Sequence, residues 1–421
     1  MLRFACAPTA DLTLNQLRLA LMNYVVATQR EEGFVIRIDD TDQKQNIEGK
    51  DAEIAAMLEL FGIRYHDIVY QSKNFRFHSA MAIDLLHRKK AYNCFCKEEE
   101  LIAKEEAAKA KKRLYSYDGT CEALPAELVI DNPNPFRVRI QRPNEEVCFE
   151  DLVQGRCCFS PEEIDSFVIL NVDKTPTHVF AQAVDDMLSD ISVVIDTEEH
   201  LENVPREIYV RSLLGYTKTI EYAHIPPVHN ADINIKELLE EGILPQAIAN
   251  YLLLLGSGKE EIFSIEDAKA HFEITALSKE PPAFDKEELL RINQAHLKTL
   301  ESKELSRYVG FADAEIGELA KLYIDEAATT RELKARVSLV FAKKELPSKM
   351  QEAANRLKAV VAKAPYFDSY EEFEEYLLKQ GELEKEELQK TLYLLLNAKE
   401  TGPKIQRLYA CLKNYIKEVV V

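Results

Sequence analysis

Three groups of residues in this chain have types and spacings that chemistry can use. The first is a set of eight cysteines, Cys6, Cys94, Cys96, Cys121, Cys148, Cys157, Cys158 and Cys411. With no basic-then-apolar leader before the first apolar run, they read as free thiols or metal ligands rather than a disulfide framework. Cys94-x-Cys96 with Cys121 offers soft donors for a metal, and also reads as three unrelated thiols. The adjacent Cys157-Cys158 pair reads as a core or surface thiol pair. The second group is Asp39-Asp40-Thr41-Asp42, carboxylates that could hold a cation or simply solvate a strand end. The third is Lys109-Ala110-Lys111-Lys112-Arg113, a local basic patch or a solvated helix face. His224 and His229 flank a proline pair and read as turn residues. No GxxxxGK[ST] or GxGxxG stretch is present.

The elements that position these groups begin at the first residue. Leu2–Ala5 is a short apolar strand, broken by Pro8 and Ala10-Asp11. Leu14, Leu17, Leu21 and Tyr24/Val25 form one apolar helix stripe. Phe34-Val35-Ile36-Arg37-Ile38 is a buried strand ending in the acidic group. A strand–helix–strand unit of this length is a parallel βαβ with its ligand crevice at the carboxyl ends of the strands. Helices are expected at Glu48–Phe61, His78–Lys89 and Lys97–Arg113, and short strands near Tyr65–Tyr70, Ala91–Cys96, Phe136–Ile140, Ser166–Leu170 and Ser192–Ile195. From Ile235 onward the pattern is helical almost throughout, with Pro281-Pro282 marking a boundary. The expected fold is an α/β Rossmann-like nucleotide-binding domain at 1–230 with an α+β insertion at 90–165. A helical connector at 231–282 and an all-α domain at 283–421 follow.

With 421 residues the chain accommodates two to four domains. Its 46% hydrophobic and 30% charged content is that of a globular protein, and no apolar run reaches about 18 residues, so no membrane partner is expected. The net charge of −19 excludes a generally basic nucleic-acid surface but not a local one. A cytoplasmic monomer is the expectation.

The opening stretch resembles a class I glutamyl-tRNA synthetase. Members of that family read roughly RFAPSPTGxLHIGGxRTALxN and then RIEDTD. This chain has Arg3-Phe4-Ala5, Pro8-Thr9, Leu12, Arg18, Ala20-Leu21, Asn23, then Arg37-Ile38 and Asp40-Thr41-Asp42. The similarity continues through Lys174-Thr175-Pro176-Thr177, Asp185-Asp186, Leu214-Gly215-Tyr216, Ala223-His224-Ile225-Pro226 and Thr401-Gly402-Pro403. It implies the fold above, ATP and Mg as cofactors, and tRNA as partner through the helical half. It also implies a structural zinc held by Cys94, Cys96, Tyr117 and Cys121, with Tyr117 known only from the resemblance.

The departures fall on the chemistry. Thr13-Leu14-Asn15-Gln16 stands where the family has its histidine-and-glycine HIGH signature, which lets the backbone approach ATP and stabilises phosphate charge. The lysine signature KMSKS should follow Pro226, but the chain runs from Pro227 to Lys236 straight into a helix, and the loop is read as deleted. In the glutamate pocket the resemblance leaves Arg3 and Asp39 as substrate-binding positions. The family serine falls at Ala7, the Tyr-Asn pair at His178-Val179, and the Arg-Gly pair at Asp196-Thr197, while Glu198 and His200 remain. An aspartate in place of an arginine repels an anionic substrate. No residue is therefore assigned a catalytic role. Three readings follow: a family member defective in adenylation, an active glutamate–tRNA ligase with other ATP contacts, and a remodelled crevice for another ligand.

Overall fold

The computed structural model describes residues 1–421 apart from Arg113, Leu114, Asp232, Glu260 and Glu345. Arg113 of the basic cluster and Asp232 of the shortened loop therefore lie outside the described residues. Among the described residues there are ten strands: β1 (Leu2–Cys6), β2 (Phe34–Ile38), β3 (Ile68–Tyr70), β4 (Ala91–Cys94), β5 (Arg137–Ile140), β6 (Val147–Asp151), β7 (Gly155–Phe159), β8 (Val168–Leu170), β9 (Val193–Thr197) and β10 (Glu221–Ile225). The helices among them are α1 (Leu14–Gln29), α2 (Lys50–Leu60), α3 (Phe75–His87), α4 (Glu98–Ala110), α5 (Ala126–Ile130), α6 (Pro161–Ile164), α7 (His178–Leu188) and α8 (Val204–Leu213).

Seven strands make one sheet in the order β3-β2-β1-β9-β10-β6-β7. β3 through β10 of that order are parallel, and the order reverses between β1 and β9. This is a doubly wound nucleotide-binding topology, and its crevice belongs at the carboxyl ends of β1 and β9. β2 is buried along its whole length, which explains the unbroken run Phe34-Val35-Ile36 where a half-exposed strand would alternate. α1 buries Leu14, Leu17 and Leu21, the stripe read from spacing, together with Arg18 and Asn23.

The inserted segment divides its strands between two sheets. β4, β5 and β8 form a separate antiparallel sheet, and Val138, Ile140 and Ile169 pack there with Phe180 of α7. The β6–β7 hairpin instead joins the main sheet beside β10. Its turn is fixed by Asp151, whose Oδ1 accepts from the Val153 and Gln154 N–H groups at 2.9 and 2.8 Å, and by Gly155 at φ 82°. That register puts Cys148 opposite Cys158, and the two form a disulfide. The expectation of thiols throughout is corrected here. Directly opposed positions on one face of an antiparallel pair bring their Cβ atoms together, which spacing alone did not reveal. Cys157, on the other face, stays a thiol.

The chain forms two compact units, residues 1–233 with 252–284, and residues 234–251 with 285–421. The second unit is helical. Its N-caps at Asp285, Asp313, Thr329 and Ser369 accept from the first-turn N–H groups. In its core Asn397 Oδ1 accepts from Tyr323 Oη at 2.7 Å and from Arg336 Nη2 at 2.6 Å. No described helix is long and apolar enough to cross a membrane.

Candidate active-site crevice

Arg3 on β1 and Arg37 on β2 point to the same place because parallel register sets Arg3 beside Val35 and Ala5 beside Arg37. Both are buried, so each needs a counter-charge. Asp186 of α7 supplies it. Its Oδ1 and Oδ2 accept from Arg3 Nε and Nη2 at 2.8 and 3.1 Å, and Oδ1 also accepts from Arg37 Nη1 at 2.6 Å. Asp39 takes the other edge of Arg37, with Nε–Oδ1 at 2.7 Å. Burial works to raise the Asp186 carboxyl, but Arg3 and Arg37 outweigh it and hold it below the ordinary carboxylate value. Arg3 and Asp39, the two positions expected to bind substrate, are thus joined through Asp186 and Arg37 into one ion-pair chain.

Asp196 is the penultimate residue of β9, and its side chain is 15% exposed. His200 lies one turn on, with Nδ1 3.0 Å from Asp196 Oδ1. That contact raises the His200 imidazole, while Asp196 is held low by His200 and Arg3 against burial. The acidic group after β2 has structural work: Asp40 accepts from the Ser72 N–H and Oγ at 2.8 and 2.6 Å, and Asp42 from Gln45 Nε2 at 2.7 Å.

The amino end of α1 is closed by its own residues. Thr13 is the N-cap: its Oγ1 accepts from the Gln16 N–H at 3.2 Å, and Gln16 Oε1 accepts from the Thr13 N–H at 2.9 Å. Asn15 Oδ1 accepts from the Val228 N–H at 2.8 Å, tying the helix start to the segment after β10. Arg18 reinforces the tie by donating to the carbonyls of Pro226 and Leu255 at 3.0 and 2.9 Å. His229 pairs by backbone with Pro282 and Phe284. His224 is not a turn residue: it lies in β10, buried, with Nδ1 2.7 Å from Asp151 Oδ2. Its flanking prolines suggested a turn, but its partner Asp151 lies far away in the sequence and was not visible there.

The third cluster is in the insertion. The Sγ atoms of Cys94, Cys96 and Cys121 lie within 4.8 Å of one another. Tyr117 Oη is 3.5 Å from Cys94 Sγ and 3.2 Å from Cys96 Sγ. Asp165 holds the loop by accepting from the Tyr117 N–H at 2.9 Å, and Arg139 stacks 4.1 Å from the Tyr117 ring centroid. Three cysteine thiols brought together offer soft donors that could hold a metal ion, with the Tyr117 hydroxyl beside them. Residues that sequence reasoning missed are Asn15 as a tie, Arg37, and the Arg211–Glu207 pair of α8. A buried arginine inside an apolar strand run was the available signal for Arg37.

The description "tRNA synthetases class I (E and Q), catalytic domain" matches residues 1–291. The chain is 50% identical to glutamate–tRNA ligase 2 of Sulfurimonas denitrificans, with all of both chains covered. It is 44% identical to glutamate–tRNA ligase 1 of a Nitratiruptor species, again over the whole of both. Among solved structures it superposes on a glutamate tRNA ligase from Elizabethkingia meningosepticum with a TM-score of 0.81 at 20% identity, covering 99% of this chain and 97% of that one. Strand order, crevice position and full-length similarity agree, and the chain belongs to the class I glutamyl-tRNA synthetase family.

Proposed function

We propose that this chain keeps the frame of a glutamyl-tRNA synthetase and its tRNA partner but does not carry out ATP-dependent activation of glutamate. The observation that carries the reading is the closed start of α1. The helix start has side chains where the family signature has glycines that let a nucleotide approach the backbone: the Thr13–Gln16 capping box takes the Gln16 N–H, and the Asn15 side chain is tied to Val228. ATP with Mg therefore does not fit the residues present, and no step is routed through it. The amino-acid side points the same way. Arg3 and Arg37 are spent on Asp186 and Asp39, and Asp196 adds a negative charge where a glutamate side chain would lie. The alignment with the Sulfurimonas ligase spans 431 positions against 421 residues here, so this chain is the shorter of the two within it. Loss of two charge contacts at about 3 kcal/mol each lowers the rate about 10⁴-fold.

The same reading gives Cys94, Cys96, Cys121 and Tyr117 a structural zinc, which would fold the insertion by closing its loop. It places tRNA contacts on the helical region 283–421, with 231–282 as connector, in a cytoplasmic monomer. The test is ATP–pyrophosphate exchange with glutamate and total tRNA, run beside labelled-glutamate transfer and tRNA filter binding. Background exchange with retained tRNA binding is expected. Exchange within about tenfold of an ordinary family member overturns the adenylation part, and absent tRNA binding overturns the rest. A second reading, an active glutamate–tRNA ligase with different ATP contacts, is favoured by the 50% identity to a ligase over the whole chain.

A further inference from the structure

Six of the eight cysteines are thiols, and Cys148 and Cys158 are bonded. Strand alternation decides where that bond lies. Phe149, Cys157 and Phe159 are half-buried on the inner face of the β6–β7 hairpin, where the two phenylalanine rings stack at 6.4 Å. Phe149 also meets Tyr222 of β10 edge to face at 5.3 Å. Cys148, Glu150, Arg156 and Cys158 are exposed on the other face. The hairpin is held without the bond. Five opposed pairs run from Val147–Phe159 to Asp151–Gly155, and Asp151 anchors the turn end through its bridge to Tyr222 and its contact with His224. The disulfide sits at the other end, one pair in from where the strands part.

We propose that Cys148 and Cys158 are a reversible thiol–disulfide couple, a redox site that takes a thiol or dithiol reductant from solution. An exposed disulfide is open to attack by a thiolate, and in a thiol-rich compartment such a bond exchanges instead of serving as a permanent staple. The incoming thiolate bonds to one of the two sulfurs, the Cys148–Cys158 bond breaks, and its electron pair stays on the released sulfur, which takes a proton. A second thiolate attacks the mixed disulfide, frees the other cysteine and leaves the reductant as its own disulfide. Two electrons pass to the protein, and the reverse exchange returns them. The ladder, the Asp151 anchor and the aromatic face outlast the bond, so the two sulfurs stay opposed and the same pair closes again. Cys157 points to the other face and does not compete. What changes is the open end of the hairpin, which the bond clamps. The proposal holds whether or not the chain activates glutamate.

The test equilibrates the full chain in glutathione buffers running from fully oxidised to fully reduced, quenches with acid, alkylates in denaturant and reads the peptides by mass spectrometry. Cys148 and Cys158 are expected to open and close together, with the same midpoint from either direction, while Cys157 stays outside the pair. Amide hydrogen exchange near the open end of β6 and β7 is expected to quicken about tenfold or more on reduction. In Cys148→Ser that dependence should vanish, and Cys158 should instead take up one glutathione in the oxidised buffer. A bond that survives the fully reduced buffer, thiols that stay open in the fully oxidised one, a pair that includes Cys157, or an exchange difference that persists in Cys148→Ser overturns the proposal.

Discussion

Glu207 tests the electrostatic account of the crevice. Its carboxyl is 2% exposed on α8 and stands among Arg211, Asp186, Arg3 and Asp196. Burial is the largest influence and raises the carboxyl from 4.5 to about 7. Asp186 and Asp196 add to the rise, and Arg211 and Arg3 oppose it. The folded state therefore binds this proton more tightly than the unfolded chain does. The stability it contributes is full below pH 4.5 and is lost as pH rises through about 7. A shift of about 2.5 units corresponds to about 3 kcal/mol, of which about 2.5 kcal/mol is lost between pH 5 and pH 8.

Glu207→Gln keeps the shape and cannot ionise. Relative to the parent chain it should gain about 2–3 kcal/mol between pH 5 and pH 8, with other titrating groups cancelling in the difference. Urea denaturation followed by circular dichroism and tyrosine fluorescence at the two pH values measures it. A gain that is the same at both pH values, or that falls with rising pH, refutes the reasoning. It would mean that Glu207 ionises near its unfolded value and that burial, Asp186 and Asp196 do not hold its proton as described.

Two further outcomes follow from the same contacts. Asp186→Asn leaves Arg3 and Arg37 buried without their shared carboxylate and should cost about 3–5 kcal/mol; a loss under about 1 kcal/mol in the same denaturation assay would show that the pair is not held as described. Protein grown with zinc should carry about one metal per chain by elemental analysis. Cys121→Ser should lose that metal and Cys411→Ser keep it; near-zero metal in the parent chain would remove zinc from the insertion.

The frame of the fold was legible because its signals are local. The stripe from Leu14 to Tyr24/Val25 places the start of α1, which runs four residues further to Gln29, and the run Phe34–Ile38 matches β2. The grouping of Cys94, Cys96, Tyr117 and Cys121 was legible only from resemblance, and the folded insertion brings these four residues together. What stayed hidden depends on partners distant in sequence. The Cys148–Cys158 pairing needs the hairpin register that Asp151 and Gly155 set. The Asp151–His224 and Arg3–Asp186 pairs join residues 73 and 183 positions apart. Spacing rules see neighbours within a few turns, whereas a parallel sheet brings remote strands side by side.

The pattern of what is kept bears on how the crevice came to its present form. Arg3 and Arg37 are two buried cations held chiefly by one shared carboxylate, so removing either arginine would leave buried charge unmatched and cost the fold several kcal/mol. Residues of that kind persist whether or not a substrate binds. Thr13, Asn15 and Asp196 are the positions at which the proposed reading places the loss of chemistry. They make local contacts: a capping box at Thr13 and Gln16, a tie from Asn15 to Val228, and the Asp196–His200 pair. Each contact is worth about 1 kcal/mol, and on the proposed reading the capping box and the Asn15 tie oppose nucleotide entry. Reopening the site thus requires more than restoring single residues. Asn15→Gly alone removes the tie but leaves the capping box, the spent arginines and Asp196 in place, so it should yield no pyrophosphate exchange. Measurable exchange in that single variant would show that the tie alone was the barrier.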